Sequence, residues 1–87
     1  MELNRIGDIA AFVAVVKAGS FTNAAKTTGL TRSAVGKSVV RLEAQLGVRL
    51  LNRTTRSDSL NDEGHAMFES CRQILEDLEE VDKQIAR

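Results

Sequence analysis

The stretch that decides the fold is SFTNAAKTTGLTRSAVGKSVVRLEAQLG, residues 20–47. It holds two segments with helical spacing, each preceded by a hydroxyl side chain (Ser20, Thr31) and followed by a glycine (Gly29, Gly47). Hydroxyl side chains cap helix N-termini, and glycine adopts the left-handed conformation that ends many helices. We therefore expect a short helix, a tight turn and a second helix over about 32–46, which together form a helix-turn-helix.

The flanking sequence adds a helix before this unit and a hairpin and helix after it. A helix is expected over about 5–18, ended by Gly19, with Ile6, Ile9, Val13 and Val16 on its core face and Phe12 at the edge of that face. Residues 48–53 and 58–60 suggest a small hairpin around a polar tip, 54–57. Asn61 is then expected to cap a long last helix, 62–87.

Charge divides the chain in two. Residues 1–61 carry nine Lys or Arg against four acids, and residues 62–87 carry three against eight, so a net charge of zero hides a basic body and an acidic tail. The densest basic stretch is 32–56, with six cations and one acid. A basic surface attracts polyanions whatever the total charge of the chain.

The helix over 32–46 has two different faces. At about 100° per residue, Val35, Val39, Leu42 and Leu46 share a core face. The opposite face is small in the middle and basic at its edges: Ser33, Gly36, Lys37, Val40 and Ala44, with Arg32 and Arg41 at the margins. Such a face suits the major groove of DNA. The alternative is that the small residues admit another helix, but burying unpaired cations would be costly.

Five runs, read in order, resemble one protein family. Residues 19–25, 31–39, 41–43, 46–54 and 60–64 are similar to the amino-terminal domain of LysR-type transcriptional regulators. The resemblance covers essentially the whole chain. It implies a mainly α fold: a winged helix-turn-helix, with a three-helix body and a small β-hairpin wing, followed by a long linker helix that makes the protein a dimer.

The resemblance also implies which residues meet double-stranded DNA. It places positions 32, 33, 36 and 37 in the major groove and position 53, in the wing of about 48–60, at the backbone or minor groove. Gly36 and Lys37 stand where the family usually has Ser and Arg, and Arg32 and Ser33 stand where it has Gln and Pro, so no base preference is carried over. With their neighbours on helix and wing, the expected DNA-binding residues are Arg32, Ser33, Gly36, Lys37, Val40, Arg41, Arg53, Thr54 and Arg56.

An apolar stripe runs along the last helix. Met67 and five further residues recur at spacings of three and four, which is typical of a dimerisation seam. The alternative is that the stripe folds back on its own domain. The residues expected to form the dimer interface are Cys71, Ile74, Leu78, Val81 and Ile85.

The sequence gives little indication of a disulfide, a metal site or a catalytic site. Cys71 is the only cysteine, which excludes an internal disulfide, and it is expected to be a small buried apolar residue rather than a redox sensor. His65 has no second histidine or paired cysteine with which to form a metal site. Ser20, Ser33 and Ser38 have no neighbouring base that could activate one of them as a nucleophile. We therefore expect no enzyme, metal or cofactor; a protein-interaction module that assembles through its last helix is the other alternative.

The expected setting is a cytoplasmic, nucleoid-associated bacterial protein without a membrane segment, since the longest apolar run is eight residues. The resemblance implies a piece of a longer regulator: a DNA-binding body, 1–61, a linker and dimerisation helix, 62–87, and a regulatory domain outside this sequence that takes a small-molecule effector. The sequence does not give the operator, the regulated genes, the effector or the sign of regulation.

Overall fold

The computed structural model describes residues 3–53 and 58–85. Its elements, in chain order, are α1 (Leu3–Ala18), α2 (Phe21–Thr28), α3 (Arg32–Leu46), β1 (Leu51–Arg53), β2 (Asp58–Leu60) and α4 (Asp62–Ile85). This order confirms the predicted three-helix body, small hairpin and long last helix. The first helix begins two residues before the predicted Arg5.

The caps of α2 and α3 are those that the sequence predicts. The Ser20 hydroxyl accepts a hydrogen bond from the Asn23 amide at 3.1 Å, and the Thr31 hydroxyl accepts one from Ala34 at 3.0 Å. Gly29 and Gly47 both have φ of 76°, the left-handed region that glycine enters without steric cost. The turn between α2 and α3 is therefore fixed by local chemistry at both of its ends.

The hydrophobic core lies between α1 and α3. Val35, Val39 and Leu42 of α3 are buried as predicted. On α1 the predicted face was wrong in part: Phe12 is fully buried rather than at the edge, and Val15 is buried while Val16 is only half-buried. The reason is that α1 contacts α2, α3 and α4, so its buried surface is wider than one stripe.

The hairpin is shorter than predicted. The two strands pair antiparallel, with Leu51 opposite Leu60 and Arg53 opposite Asp58. Residues 48–50 precede the strand, because the amide of Leu50 donates to the Glu43 carboxylate at 2.8 Å instead of to a second strand. The hairpin is therefore anchored to the last turn of α3.

The last helix starts on the body and then leaves it. The Asn61 side chain caps α4 by accepting from the Gly64 amide at 2.8 Å, and its amide group donates to the Arg49 carbonyl at 2.9 Å. The rings of Phe68 and Phe12 form a T-shaped pair, with centroids 6.4 Å apart. The 24-residue helix is about 36 Å long at 1.5 Å per residue, so its second half extends beyond the body. Within the described ranges no helix is long and apolar enough to cross a membrane.

Candidate nucleic-acid interface

The outward face of α3 forms an open groove with one wall from α2. The groove is lined by Phe21, Arg32, Ser33, Gly36, Lys37, Val40 and Arg41. Six of these seven residues were predicted from the helical wheel as DNA-facing, and the structure brings all six together. The seventh, Phe21 of α2, is a buried core residue that also lines the groove.

Two of the three cations on this face have no acceptor among the residues that the structure describes. Arg32 and Lys37 are exposed, and no hydrogen bond or ion pair joins them to any described residue. Ser33 is exposed beside them, one turn before Lys37. These donors remain available to an external acceptor.

A third cation, Arg41, is held by a buried acid. Its Nη2 donates to Asp8 Oδ1 at 2.9 Å and its Nε donates to Asp8 Oδ2 at 3.2 Å, while Nη2 also reaches Ser38 Oγ at 3.2 Å. Asp8 is only 1% exposed. The hydrogen bonds to Asp8, and then its negative charge, raise the pKa of Arg41. This fixed guanidinium contributes less positive field than Arg32 or Lys37, because Asp8 offsets its charge.

The one acid in the basic stretch 32–56 points away from the groove. Glu43 is 6% exposed and accepts from the amides of Leu50 and Leu51. Arg49 lies 3.9 Å from the same carboxylate, and its side chain is mostly exposed. The basic character of the outer surface of α3 therefore comes mainly from Arg32 and Lys37, which are exposed, while Asp8 and Glu43 are buried.

Sequence reasoning missed the roles of Asp8 and Glu43. Asp8 is the only charged residue in the apolar stretch 6–16, and a lone acid in such a segment indicates a buried partner. Its partner is 33 residues away in sequence, so the pattern does not identify it. Glu43 lies next to the core position Leu42, which was the available signal that its side chain turns inward.

Only part of the predicted wing site is described. The backbone of Arg53 ends β1, opposite Asp58. Thr54 and Arg56, predicted at the tip, lie outside the described residues. Asn61 and Arg49, joined by the amide-to-carbonyl bond, fix the base of the hairpin next to the end of α3.

The stripe on α4 changes character along its length. Cys71 is 5% exposed and belongs to the domain's own core, so it is not available to a partner as predicted. Desolvation raises the pKa of its thiol. Beyond it, Ile74, Leu78 and Val81 are exposed, and Ile85 is 78% exposed. The alternative that the whole stripe folds back is therefore wrong for this distal part.

Groups of metal-ligating side chains do not occur within 3–53 and 58–85. His65 is exposed in the first turn of α4, and its amide donates to the Asn61 carbonyl. Cys71, the other soft ligand, is buried in the core.

Comparison with known proteins gives consistent matches. Residues 6–65 match bacterial regulatory helix-turn-helix proteins of the lysR family. The chain is 46% identical over 80 residues to an HTH-type transcriptional repressor of Pseudomonas aeruginosa, covering 92% of this chain and 25% of that protein. It is 36% identical over 83 residues to the HTH-type transcriptional activator AaeR of Escherichia coli, covering 95% and 27%. The chain thus spans about a quarter of the length of these curated relatives.

Solved structures resemble the whole chain. The DNA-binding domain of CbnR in complex with DNA has a TM-score of 0.81 at 34% identity, with all of both chains covered. The DNA-binding domain of BenM in complex with catB site 1 DNA has a TM-score of 0.89 at 29% identity, covering 100% of this chain and 94% of that one.

Proposed function

Because the chain belongs to the lysR family of bacterial regulatory helix-turn-helix proteins, we propose that it binds duplex DNA as the DNA-binding domain of a bacterial transcriptional regulator. The observation that carries this proposal is the outer face of α3, where the exposed cations Arg32 and Lys37, unpaired among the described residues, lie beside small side chains. The relatives are named as transcriptional regulators, which separates this function from an enzyme.

The third helix enters the major groove in this proposal. Small residues let a helix approach base edges closely, while polar and cationic side chains supply donors. Ser33 and Lys37 would face bases, and Arg32, at the first turn, would face a base or a phosphate. Arg41 has Nε and Nη2 engaged by Asp8, so its remaining nitrogen, Nη1, would meet a phosphate.

The wing would lie beside α3 on the sugar-phosphate backbone or in the minor groove. Anchoring by Glu43 and Asn61 sets the hairpin next to the C-terminal end of α3. Arg53, Thr54 and Arg56 are the proposed contacts there. A rigid base is an advantage, since a wing that is held in place loses less conformational entropy on binding.

A dimer through α4 completes the proposal. The exposed side chains of Ile74, Leu78, Val81 and Ile85 would pack against the same stripe of a second copy, with the two helices antiparallel as the family resemblance implies. Two copies would hold two recognition helices at a fixed separation, so that each contacts one half of a palindrome.

The whole regulator is proposed to act in the bacterial cytoplasm on the nucleoid. A small-molecule effector would bind a regulatory domain outside this chain. Relatives include one named repressor and one named activator, so similarity leaves the sign of regulation open.

The test is binding to fluorescent duplex DNA after selection of sites from a random pool. Affinity should fall steeply with salt, because phosphate contacts release counterions. Lys37→Ala should weaken binding to the selected site by about 1–3 kcal/mol, the range for a specific base contact, and less on random DNA. Equal losses on both kinds of DNA would make Lys37 a phosphate contact.

The matched control is Lys83→Ala. It removes the same charge from the exposed, acidic end of α4, far from α3. Affinity of this variant should stay close to that of the unchanged chain. No selection of any duplex sequence at low salt would contradict the proposed function.

A further inference from the structure

Besides its cations, the groove on α3 has an apolar part, formed by Val40 and Gly36. Val40 is an apolar residue but is 55% exposed, on a face that also carries polar and cationic side chains. One turn earlier lies Gly36, where an added Cβ would meet no described residue within 4 Å other than its chain neighbours and the backbone of its own helix. Phe21 from α2 lines the same groove. The exposed side chain of Val40 and the open space at Gly36 can together accommodate a small apolar group.

Helix geometry makes these two residues act together. Residues four apart lie on one face, and the Cα–Cβ bonds of a helix tilt toward its N-terminus. The side chain of a helical residue therefore covers the turn that precedes it. We therefore expect the side chain of Val40 to lie over the turn that contains Gly36, where the missing side chain leaves open space.

The chemistry of base edges identifies the occupant. In the major groove the bases present hydrogen-bond donors and acceptors, with one apolar exception, the C5-methyl group of thymine. Val40 and Gly36 have no side-chain donor or acceptor to offer a polar edge. Arg32, Ser33 and Lys37, on the same face, can satisfy those edges.

We infer that Val40 and Gly36 form a pocket for a thymine methyl group, so that the domain selects thymine at one position of each half-site. This inference rests on the proposed DNA-binding function and specifies what part of the base pair is recognised. It makes Val40 a specificity-determining residue and explains why an apolar side chain is exposed on an otherwise polar face.

The experiment replaces thymine by deoxyuridine, which lacks only the C5-methyl group. Each thymine of the selected duplex is replaced in turn, and affinity is measured by fluorescence anisotropy. At one position per half-site the replacement should weaken binding by about fourfold, which corresponds to about 0.8 kcal/mol for one buried methyl group. With Val40→Ala, the same replacement should have no effect, because the wall of the pocket is gone.

The matched control is Leu30→Ala, which removes another exposed apolar side chain, in the turn outside the groove. This variant should keep the fourfold difference between thymine and deoxyuridine. A second variant, Gly36→Ala, fills the pocket from the helix side and should also reduce the difference, without blocking the fold, since the space is open.

Two results would overturn the inference. One is a selected site in which no thymine shows a methyl effect; the other is a methyl effect that persists unchanged in Val40→Ala. Either would leave the proposed function intact, because sites would still be selected. If no duplex is selected, the proposed function fails and this inference fails with it.

Discussion

Asp8 of α1 and Arg41 of α3 form a bidentate ion pair that joins the first helix to the proposed recognition helix, with N–O distances of 2.9 and 3.2 Å. Asp8 is buried and Arg41 is exposed. Removal of Arg41 would leave a buried carboxylate without its cation, whereas removal of Asp8 would leave a cation that water can solvate. The cost to stability should therefore be unequal for the two partners.

We predict that Arg41→Ala lowers the melting temperature more than Asp8→Asn does. The double variant should be less destabilised than the sum of the two, since the residues are directly coupled. Thermal unfolding followed by circular dichroism measures all three. The control is Arg5→Ala, which removes a half-buried arginine whose Nε donates to the uncharged side chain of Gln45, so that no buried charge loses its partner and stability should change less. Additive losses would show that the pair is not coupled.

Gly64 is required for close packing of α4 on the body. A Cβ at this position would lie 2.0 Å from the Leu50 carbonyl oxygen and 2.8 Å from Leu60 Cδ2. The Leu50 oxygen is backbone and also accepts from the Asn61 amide at 3.1 Å, so it cannot easily move. We predict that Gly64→Ala destabilises the domain by about 1–3 kcal/mol or more, as overpacking does.

Gly7 supplies the matched control for this prediction. It lies inside α1, and an added Cβ there would meet no atom of the described part of the chain within 4 Å, apart from its chain neighbours and the backbone of α1. Gly7→Ala should stabilise by about 0.5–1 kcal/mol, or roughly 2–8 °C in a domain of this size. Opposite signs in thermal unfolding would confirm the close approach at Gly64; similar effects would refute it.

Cys71 should react slowly with thiol reagents in the folded protein. Burial restricts access and raises the pKa of its thiol, so little thiolate exists at neutral pH. A group with a raised folded-state pKa contributes stability that is lost as pH rises through that pKa. Unfolding free energy should therefore fall at alkaline pH more steeply for the unchanged chain than for Cys71→Ala. Rapid labelling of the native protein at neutral pH would contradict this burial.

The bounds of α2 and α3 were predictable because their determinants are local. Ser20 and Thr31 bind amides three residues on, and Gly29 and Gly47 end the helices through their own backbone conformation. A single sequence contains all of that information within a few positions. The predicted outward face of α3 was correct for the same reason, since its core residues follow one helical period.

Features that depend on packing between distant segments were harder to predict. Phe12 lies at the centre of the core because α4 returns to cover α1, and the periodicity of α1 alone does not show this. Cys71 belongs to an unbroken apolar stripe, and the point where α4 leaves the body depends on the size of that body. The sequence around Gly64 does not show that a glycine is needed there, because the need comes from the position of the Leu50 carbonyl.

The last prediction concerns assembly through the exposed part of α4. Leu78 lies in the middle of the stripe formed with Ile74, Val81 and Ile85, all of them exposed in the single chain. Apolar burial is worth about 25 cal/mol per Å², so a second copy of the stripe would stabilise a dimer. Leu78→Glu should place a charge in that interface, yield monomers in sedimentation and sharply weaken binding to a site with two half-sites. Its affinity for a single half-site should stay unchanged, because the body remains folded.

His65→Glu adds the same charge to an exposed position at the start of α4, away from the stripe, and should leave the dimer intact. Sedimentation of the unchanged chain as a monomer at high micromolar concentration would refute a dimer that this helix forms on its own.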